Sequence, residues 1–342
     1  MYMAALDGGS KAFDRVNHYS LFMALMKLET PLPYLNVIIH WHLRLFGLVR
    51  WCGCFSKVFE IKSGIRQGGI SSPSYFNVFI NDLIVKLRKC GLGCFVCNIF
   101  CGCMLFADDI LLLSGSLSHL QLMLDICVNF ADNNDIMFNH KKSNLFQIGL
   151  SADTILPQLS LGCNELKWIS ELKYLGVVFM CGKKLLVNTD LQCRKFLGTA
   201  FALLQKCGHL SEEILCKVIL THCLPLMLYG VDSIFITKDQ IRKLSVAFNT
   251  AFRRVFHMSR FSSMRLLYSF MGFKTLDCLY EERLMCLIRN CSSSECELLR
   301  MYSELCFARC WDICLKYDVH PNLSIACIKR QVWCYFHTIL IV

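Results

Sequence analysis

Cys103-Met104-Leu105-Phe106-Ala107-Asp108-Asp109-Ile110-Leu111-Leu112-Leu113 is the stretch whose reading decides the fold. Two apolar, strand-like runs flank a pair of aspartates, and the gap between the runs admits only a tight turn. A β-hairpin with Asp108-Asp109 at its bend displays both carboxylates at a sheet edge. Burying two like charges there is costly unless a cation offsets them. Aspartate is also common in plain surface turns, so these residues alone leave both readings open.

The composition narrows the field. The chain has 342 residues, 55% hydrophobic and 18% charged, with a net charge of +10. That length allows two or three domains, and the apolar content excludes a disordered chain. The basic excess suits a polyanion such as nucleic acid, and equally an anionic membrane surface. There are 23 cysteines, but Met1-Tyr2-Met3-Ala4-Ala5-Leu6-Asp7 has no basic segment ahead of an apolar run. Reduced, mostly buried thiols in an intracellular protein without disulfide partners are therefore expected. Cys94 and Cys97 have no second pair at zinc-site spacing. Cys306, Cys310 and Cys314 share one helix face and read as core. The uncharged run Cys90–Ala107 is interrupted by Gly91, Gly93, Asn98 and Gly102, which favours a buried hairpin over a membrane span. A cysteine-rich membrane-associated protein is a reading that rests only on the mean hydropathy of +0.44.

Residues 2–6 read as a buried strand ending at Asp7. A helical pattern follows through Leu21, Leu25 and Leu28, broken by Pro31 and Pro33. A second helix carries Leu35, Ile38, Ile39, Leu43 and Phe46 on one face. The text is β-like from 48 to 62. The glycine-rich loop Ser63-Gly64-Ile65-Arg66-Gln67-Gly68-Gly69 then opens a helix with Ser72 as N-cap, Pro73 as its first helical residue, and a stripe of Phe76, Phe79, Ile80, Leu83 and Leu87. Glycines let a backbone approach a ligand, and a helix N-terminus favours an anion. Another helix over 118–133, a strand over 145–148 and a strand pair around Gly176 complete an α+β arrangement with helices on one face of the sheet. After about residue 185 the pattern is helical: 191–207, 212–228, 238–257, 264–290 and 295–316. Arg242, Lys243, Arg253, Arg254, Arg260 and Arg265 make this part basic, which suits a phosphate backbone.

Asp7, the Arg66-Gln67-Gly68 loop and Asp108-Asp109 belong together chemically. Carboxylates from separate strands that clamp two divalent metals stabilise in-line attack of a hydroxyl on a phosphoryl group. In these blocks the chain resembles the reverse transcriptases of non-LTR (LINE-type) retrotransposons. Asp7 with Ser10 to Val16 is similar to motif A. Gly64 to Gly69, Ser72-Pro73 and Phe76-Asn77 are similar to motif B, and Phe106-Ala107-Asp108-Asp109 to motif C. Phe138-Asn139 with Lys141-Lys142-Ser143 resembles motif D, and Lys173-Tyr174-Leu175-Gly176 motif E. The resemblance implies an antiparallel palm over 1–185, a helical thumb over 186–260 and a helical extension over 261–342.

It also implies roles. Asp7 and Asp108 hold two Mg2+ ions, or Mn2+, with Asp109 in support. Phe13 is the gate against a 2′-hydroxyl. Arg66, Gln67 and Gly68 line the nucleotide pocket, Lys141 or Lys142 lies near the departing pyrophosphate, and Lys173–Gly176 is the primer grip. The partners implied are an RNA template, a DNA primer and dNTPs, with no membrane. Asp7 and Asp14 stand one residue further apart than is usual in the family, so Gly8-Gly9 reads as an insertion. The chain starts within motif A, so a truncated copy without fingers is expected, weakly active or inactive. The alternative is a non-catalytic nucleic-acid-binding remnant.

Overall fold

The central strand of the main sheet is β1, Tyr2–Asp7, an apolar run closed by a carboxylate. The computed structural model describes residues 1–7, 12–151, 154–234, 236–309, 311–317, 324–325, 327–329 and 331–332. Gly8-Gly9 and Cys310 lie outside them. The described chain divides into two compact units. One comprises Met1–Leu172 with Cys181–Leu185, the other Lys173–Met180 with Leu186–Val342.

In the first unit β1 pairs with β3, Asp109–Ser114, along its whole length, from Tyr2 opposite Ser114 to Asp7 opposite Asp109. On its other side β1 pairs with β4, Asn144–Gln147. With β2, Cys103–Phe106, and the short β5, Lys167–Trp168, the sheet runs β5-β4-β1-β3-β2. All pairings are antiparallel except β4 with β5. Alternation puts Ala4, Leu6, Ile110, Leu112 and Leu145 on one face. Two helices close that face: α3, Ser72–Lys89, and α4, Leu117–Asn133. The α3 stripe of Phe76, Phe79, Ile80, Leu83 and Leu87 meets Leu120, Met123, Leu124, Cys127 and Phe130 of α4 in a single core over the sheet. Each such side chain contributes about 1.5–3 kcal/mol by leaving water.

Three expectations need correction in this unit. The residue before α3 is Ser71, while the Ser72 hydroxyl donates back to the Arg66 carbonyl at 2.6 Å, so it ties the glycine loop rather than the helix. The helix before the β-like stretch, Leu32–Leu43, buries Leu35 but exposes Leu43, and Phe46 is already in a strand and exposed. Leu32, Tyr34 and Val37 of this helix are also open to solvent. The run from Cys90 does form a hairpin, Phe95–Val96 with Ile99–Phe100, but its first strand is exposed rather than buried. Among the described residues no helix is long and apolar enough to cross a membrane.

The second unit is mostly helical, with short strands over 173–174, Val177–Met180 and Leu186–Val187 at its start. Phe196, Phe248, Phe252, Tyr268 and Met285 lie in its one core. Two expected helices are interrupted. The 212–228 pattern passes through a π-helical turn at Ile219–Cys223, just ahead of Pro225, whose missing N–H cannot continue an α-helical ladder. The 264–290 pattern stops at Gly272, left-handed at φ +66°, and restarts after Thr275, whose side chain accepts from the Cys278 N–H.

The described cysteines are free thiols, but less uniformly interior than expected. Cys52, Cys54, Cys97, Cys163, Cys296 and Cys327 are exposed. Cys306 and Cys314 pack in the second core, as a core stripe requires. Burial pushes the Cys103 thiol up to about 11 and Cys216 up to about 12, so neither supplies a thiolate near neutrality.

Candidate active site

The carboxylates meet at one end of the sheet. β2 and β3 are joined by the two-residue turn Ala107-Asp108, with Phe106 opposite Asp109. Ala107 takes φ +52°, the geometry that a two-residue hairpin demands at its first position and that glycine usually supplies. Asp108 occupies the second turn position. It borders a shallow recess whose walls include Ala12, Phe76, Ile80, Ala107 and Phe138. Asp109 is the first residue of β3 and stands directly across the ladder from Asp7.

Asp7 is held from a segment far away in sequence. Its N–H donates to Ser143 Oγ at 3.2 Å, and the Ser143 hydroxyl donates to the Asn139 carbonyl at 2.9 Å. The Asn139 N–H returns to the Asp7 carbonyl at 3.0 Å. This closed loop of bonds fixes the end of β1 through Ser143, a buried hydroxyl. The same segment brings Lys142 Nζ to 3.4 Å from Asp7 Oδ2. Lys141 is exposed beside it. Asn139 and Ser143 stand in the block that resembles motif D, but their bonds to Asp7 are not legible there, because nothing local in the sequence pairs them with a residue more than 130 positions earlier. Ser143→Ala should cost about 1 kcal/mol, since the part-buried Asp7 N–H loses this acceptor. Urea unfolding of the variant would register it.

Electrostatics follow from this packing. Desolvation, then the charges of Asp108 and Asp7, push the Asp109 carboxyl above its ordinary range, and Lys142 opposes them. The folded protein therefore holds that proton more tightly than the unfolded chain does. The associated stability is present below the ordinary carboxylate pKa and is lost as pH rises through the folded value. Asp7→Asn should bring the Asp109 titration down toward the ordinary range, and Lys142→Met should move it further up. Carboxyl carbon chemical shifts followed across the acid range would show both.

The glycine loop sits against the segment 12–16. Gly64 N–H donates to the Val16 carbonyl at 2.8 Å and Ile65 N–H to the Phe13 carbonyl at 2.7 Å. Phe13 stacks on Phe76 at 4.6 Å between ring centroids. Gln67 Nε2 donates to Asp14 Oδ1 at 3.0 Å. Arg66 and Gly68 are exposed, and Gly68 has φ +80° with open space where a Cβ would lie. In the first unit the structure thus brings together Asp7, Asp108, Asp109 and Lys142, with Phe76 between Phe13 and the Asp108 recess and the Arg66–Gly68 loop bonded to Asp14 next to Phe13.

Lys173–Gly176 belong to the second unit. Leu175 and Gly176 form its tight turn at φ +46° and +81°, and a Cβ on Gly176 would lie 3.1 Å from the Tyr229 ring. Of the basic residues there, Lys243 pairs with Asp190. The Arg253 guanidinium donates to the Ser262 carbonyl at 2.9 and 3.1 Å. Arg254 and Arg260 line a cleft with Phe201, Gln205 and His257.

The profile of the reverse transcriptase (RNA-dependent DNA polymerase) family matches residues 2–179, just over half of the chain. The chain belongs to that family. This reverse transcriptase domain is of the non-LTR retrotransposon type. It is 29% identical over 188 residues to the retrovirus-related Pol polyprotein from a type-2 retrotransposable element of Drosophila melanogaster, a match covering 52% of this chain and 17% of that one. With the corresponding polyprotein from a type-1 element of Popillia japonica it is 26% identical over 267 residues, 72% of this chain and 35% of that one. The chain therefore spans well under half the length of these relatives. The apo telomerase structure from Candida tropicalis aligns over 91% of this chain and 52% of its own at 14% identity, with a TM-score of 0.43, too slight a likeness to carry an argument.

The carboxylate set is not a preformed cage. Among the described residues no three His, Cys, Asp or Glu side chains converge as a metal site. The donors are all hard carboxylate oxygens, and Asp7 and Asp109 face each other in register with a repulsion that Lys142 offsets only in part. That set fits Mg2+, which takes one or two protein carboxylates and fills its shell with water and substrate phosphates.

Proposed function

We propose that this reverse transcriptase domain carries out RNA-templated DNA synthesis at Asp7, Asp108 and Asp109. The observation that carries the reading is the register of β1 with β3, which sets Asp7 across from Asp109 beside the Asp108 turn in a chain of this family. Two bound divalent ions would activate the primer 3′-hydroxyl and offset charge on the reacting phosphate.

The protein's own groups do the rest. The three carboxylates hold negative charge at one sheet end, and the Ser143–Asn139 loop keeps Asp7 at that end. Lys142, already within reach of the Asp7 carboxylate, is placed to meet pyrophosphate oxygens, with Lys141 beside it. Phe13, packed on Phe76, presents the face that turns away a 2′-hydroxyl. Arg66, Gln67 and Gly68 border the incoming nucleotide and template, and the Lys173–Gly176 turn serves as primer grip. In this reading residues 1–185 are the palm, 186–260 the thumb, whose Arg254 and Arg260 meet a phosphate backbone, and 261–342 a helical extension.

Primer extension tests the reading. On oligo(dT) annealed to poly(rA), with Mg2+, the folded chain should add dTTP and reject dGTP. On oligo(dG) annealed to poly(rC) the preference should reverse. Absence of incorporation on either duplex, or incorporation indifferent to the template, would overturn the proposal.

A further inference from the structure

The segment between α1, which spans His18–Lys27, and α3 contains a longer exposed hairpin ahead of the glycine loop. Phe46–Gly47 pairs with Phe59–Glu60 and Arg50–Trp51 with Cys54–Phe55. Ile61 N–H donates to the Leu45 carbonyl and Ser56 N–H to the Val49 carbonyl, both at 2.8 Å. Two residues on one arm, Leu48 and Val49, face three on the other, Ser56 to Val58, so the hairpin carries a bulge. Every residue from Leu48 to Glu60 is exposed. Trp51 is 78% exposed, Phe55 65% and Phe59 48%. A two-stranded hairpin is marginal in water without an apolar face to pack against. Trp51 and Phe55 stand at neighbouring ladder positions on opposite faces of the hairpin tip, and large apolar side chains held in solvent there mark a contact surface.

Charge says what it contacts. Arg44, Arg50, Lys57 and Lys62 lie in or beside the hairpin, against the single acid Glu60. Among the described residues none of these four cations is in an ion pair. The Arg50 guanidinium lies over the Phe55 ring, 5.6 Å from its centroid, which holds it on the aromatic face. A purely apolar partner would leave four cations to be desolvated without compensation. A ligand with flat π faces and regularly spaced anions uses both features, and that is the chemistry of an unpaired nucleic-acid strand.

We propose that the 45–61 hairpin is a docking surface for single-stranded RNA. Bases stack on Phe55 beside Arg50 on one face and on Trp51 across the hairpin tip, and the backbone is met by Arg50, Lys57 and Lys62. The choice of RNA rests on the proposed function, in which the unpaired strand is the template. The stacking surface itself rests only on the hairpin.

The test is equilibrium binding of the full chain, in EDTA and without dNTPs, to fluorescein-labelled oligo(rU) and oligo(dT) of equal length, followed by anisotropy. Trp51→Ala with Phe55→Ala should weaken oligo(rU) binding at least about 10-fold. Lys57→Ala with Lys62→Ala should lower the slope of log K against log salt by roughly 0.7 for each cation removed. Because these side chains are exposed, thermal melting followed by circular dichroism should stay within a degree or two of the parent. Unchanged oligo(rU) affinity in the aromatic variant would overturn the proposal. So would an affinity for oligo(dT) above that for oligo(rU) that disappears in that variant, since the ligand would then be DNA. A parent dimer dissolved by the aromatic substitutions, with oligonucleotide binding intact, would assign the face to a second copy of the chain and equally refute it. Primer extension is not a readout here, so a chain that binds through the hairpin but does not polymerise separates the two readings.

Discussion

Replacing Asp108 by Asn should reduce nucleotide addition roughly 100- to 1,000-fold while leaving the fold intact, because one charged group aimed at developing charge is worth about that much. The argument is geometric. Asp108 is the second residue of a two-residue turn, partly exposed, and its side chain is not part of the core formed by Ile110 and Leu112. An amide of the same shape keeps the turn, since Asn is as much at home there as Asp. What changes is the charge available to a divalent ion and to the reacting phosphate. Thermal melting should therefore be unaltered or slightly improved, as Asp108 also contributes to the repulsion that raises the Asp109 pKa. Single-turnover extension with saturating dTTP would isolate the chemical step. A variant within a few-fold of the parent would remove Asp108 from the reaction.

Gly64→Ala should be the most damaging small substitution in the first unit, costing roughly 2–4 kcal/mol when the strain of a positive φ and a backbone clash are added. Gly64 has φ +91°, and a Cβ there would come within 2.6 Å of the Asp14 carbonyl oxygen and 2.8 Å of its Cα. Those are backbone atoms and cannot rotate aside. The loop has no slack either. The Gly64 N–H is bonded to the Val16 carbonyl at 2.8 Å, and the Gly64 carbonyl meets Nε2 of the buried His18 at 2.7 Å. Relief must come from moving residues 13–16, which carry Phe13 and the Asp14 partner of Gln67. Activity should therefore fall along with the urea midpoint. Gly68→Ala is the control: its φ is +80°, but there is open space around it, so only the conformational strain of about 1–2 kcal/mol applies.

The parts of this fold that were legible in the sequence are those decided by near neighbours. Phe106-Ala107-Asp108-Asp109 had to be a tight turn, because strand-like runs abut it on both sides. The Phe76–Leu87 stripe had to be a buried helix face, because five large apolar residues share one side of the helix. What could not be read depends on residues far apart. That Asp109 lies across from Asp7 is a matter of register between strands a hundred residues apart, and a slip by one position would turn the facing pair away. The bond from Asp7 to Ser143 is of the same kind. The helix Leu32–Leu43 misled for a different reason. Apolar on nearly every side, its sequence does not say which residues will meet neighbours, and Leu35 did while Leu43 did not. The break at Gly272 was legible and missed: a glycine followed three residues later by Thr275 is an end and a start placed together.

The central claim is that Asp7, Asp108 and Asp109 act as one metal-holding set. Mn2+ binding to the chain in complex with a chain-terminated primer on poly(rA) and dTTP, counted by electron paramagnetic resonance of the free ion, tests it most directly. The parent should bind two ions in the complex, and Asp7→Asn and Asp108→Asn should each lose at least one. The same number of ions bound by all three proteins would contradict the account.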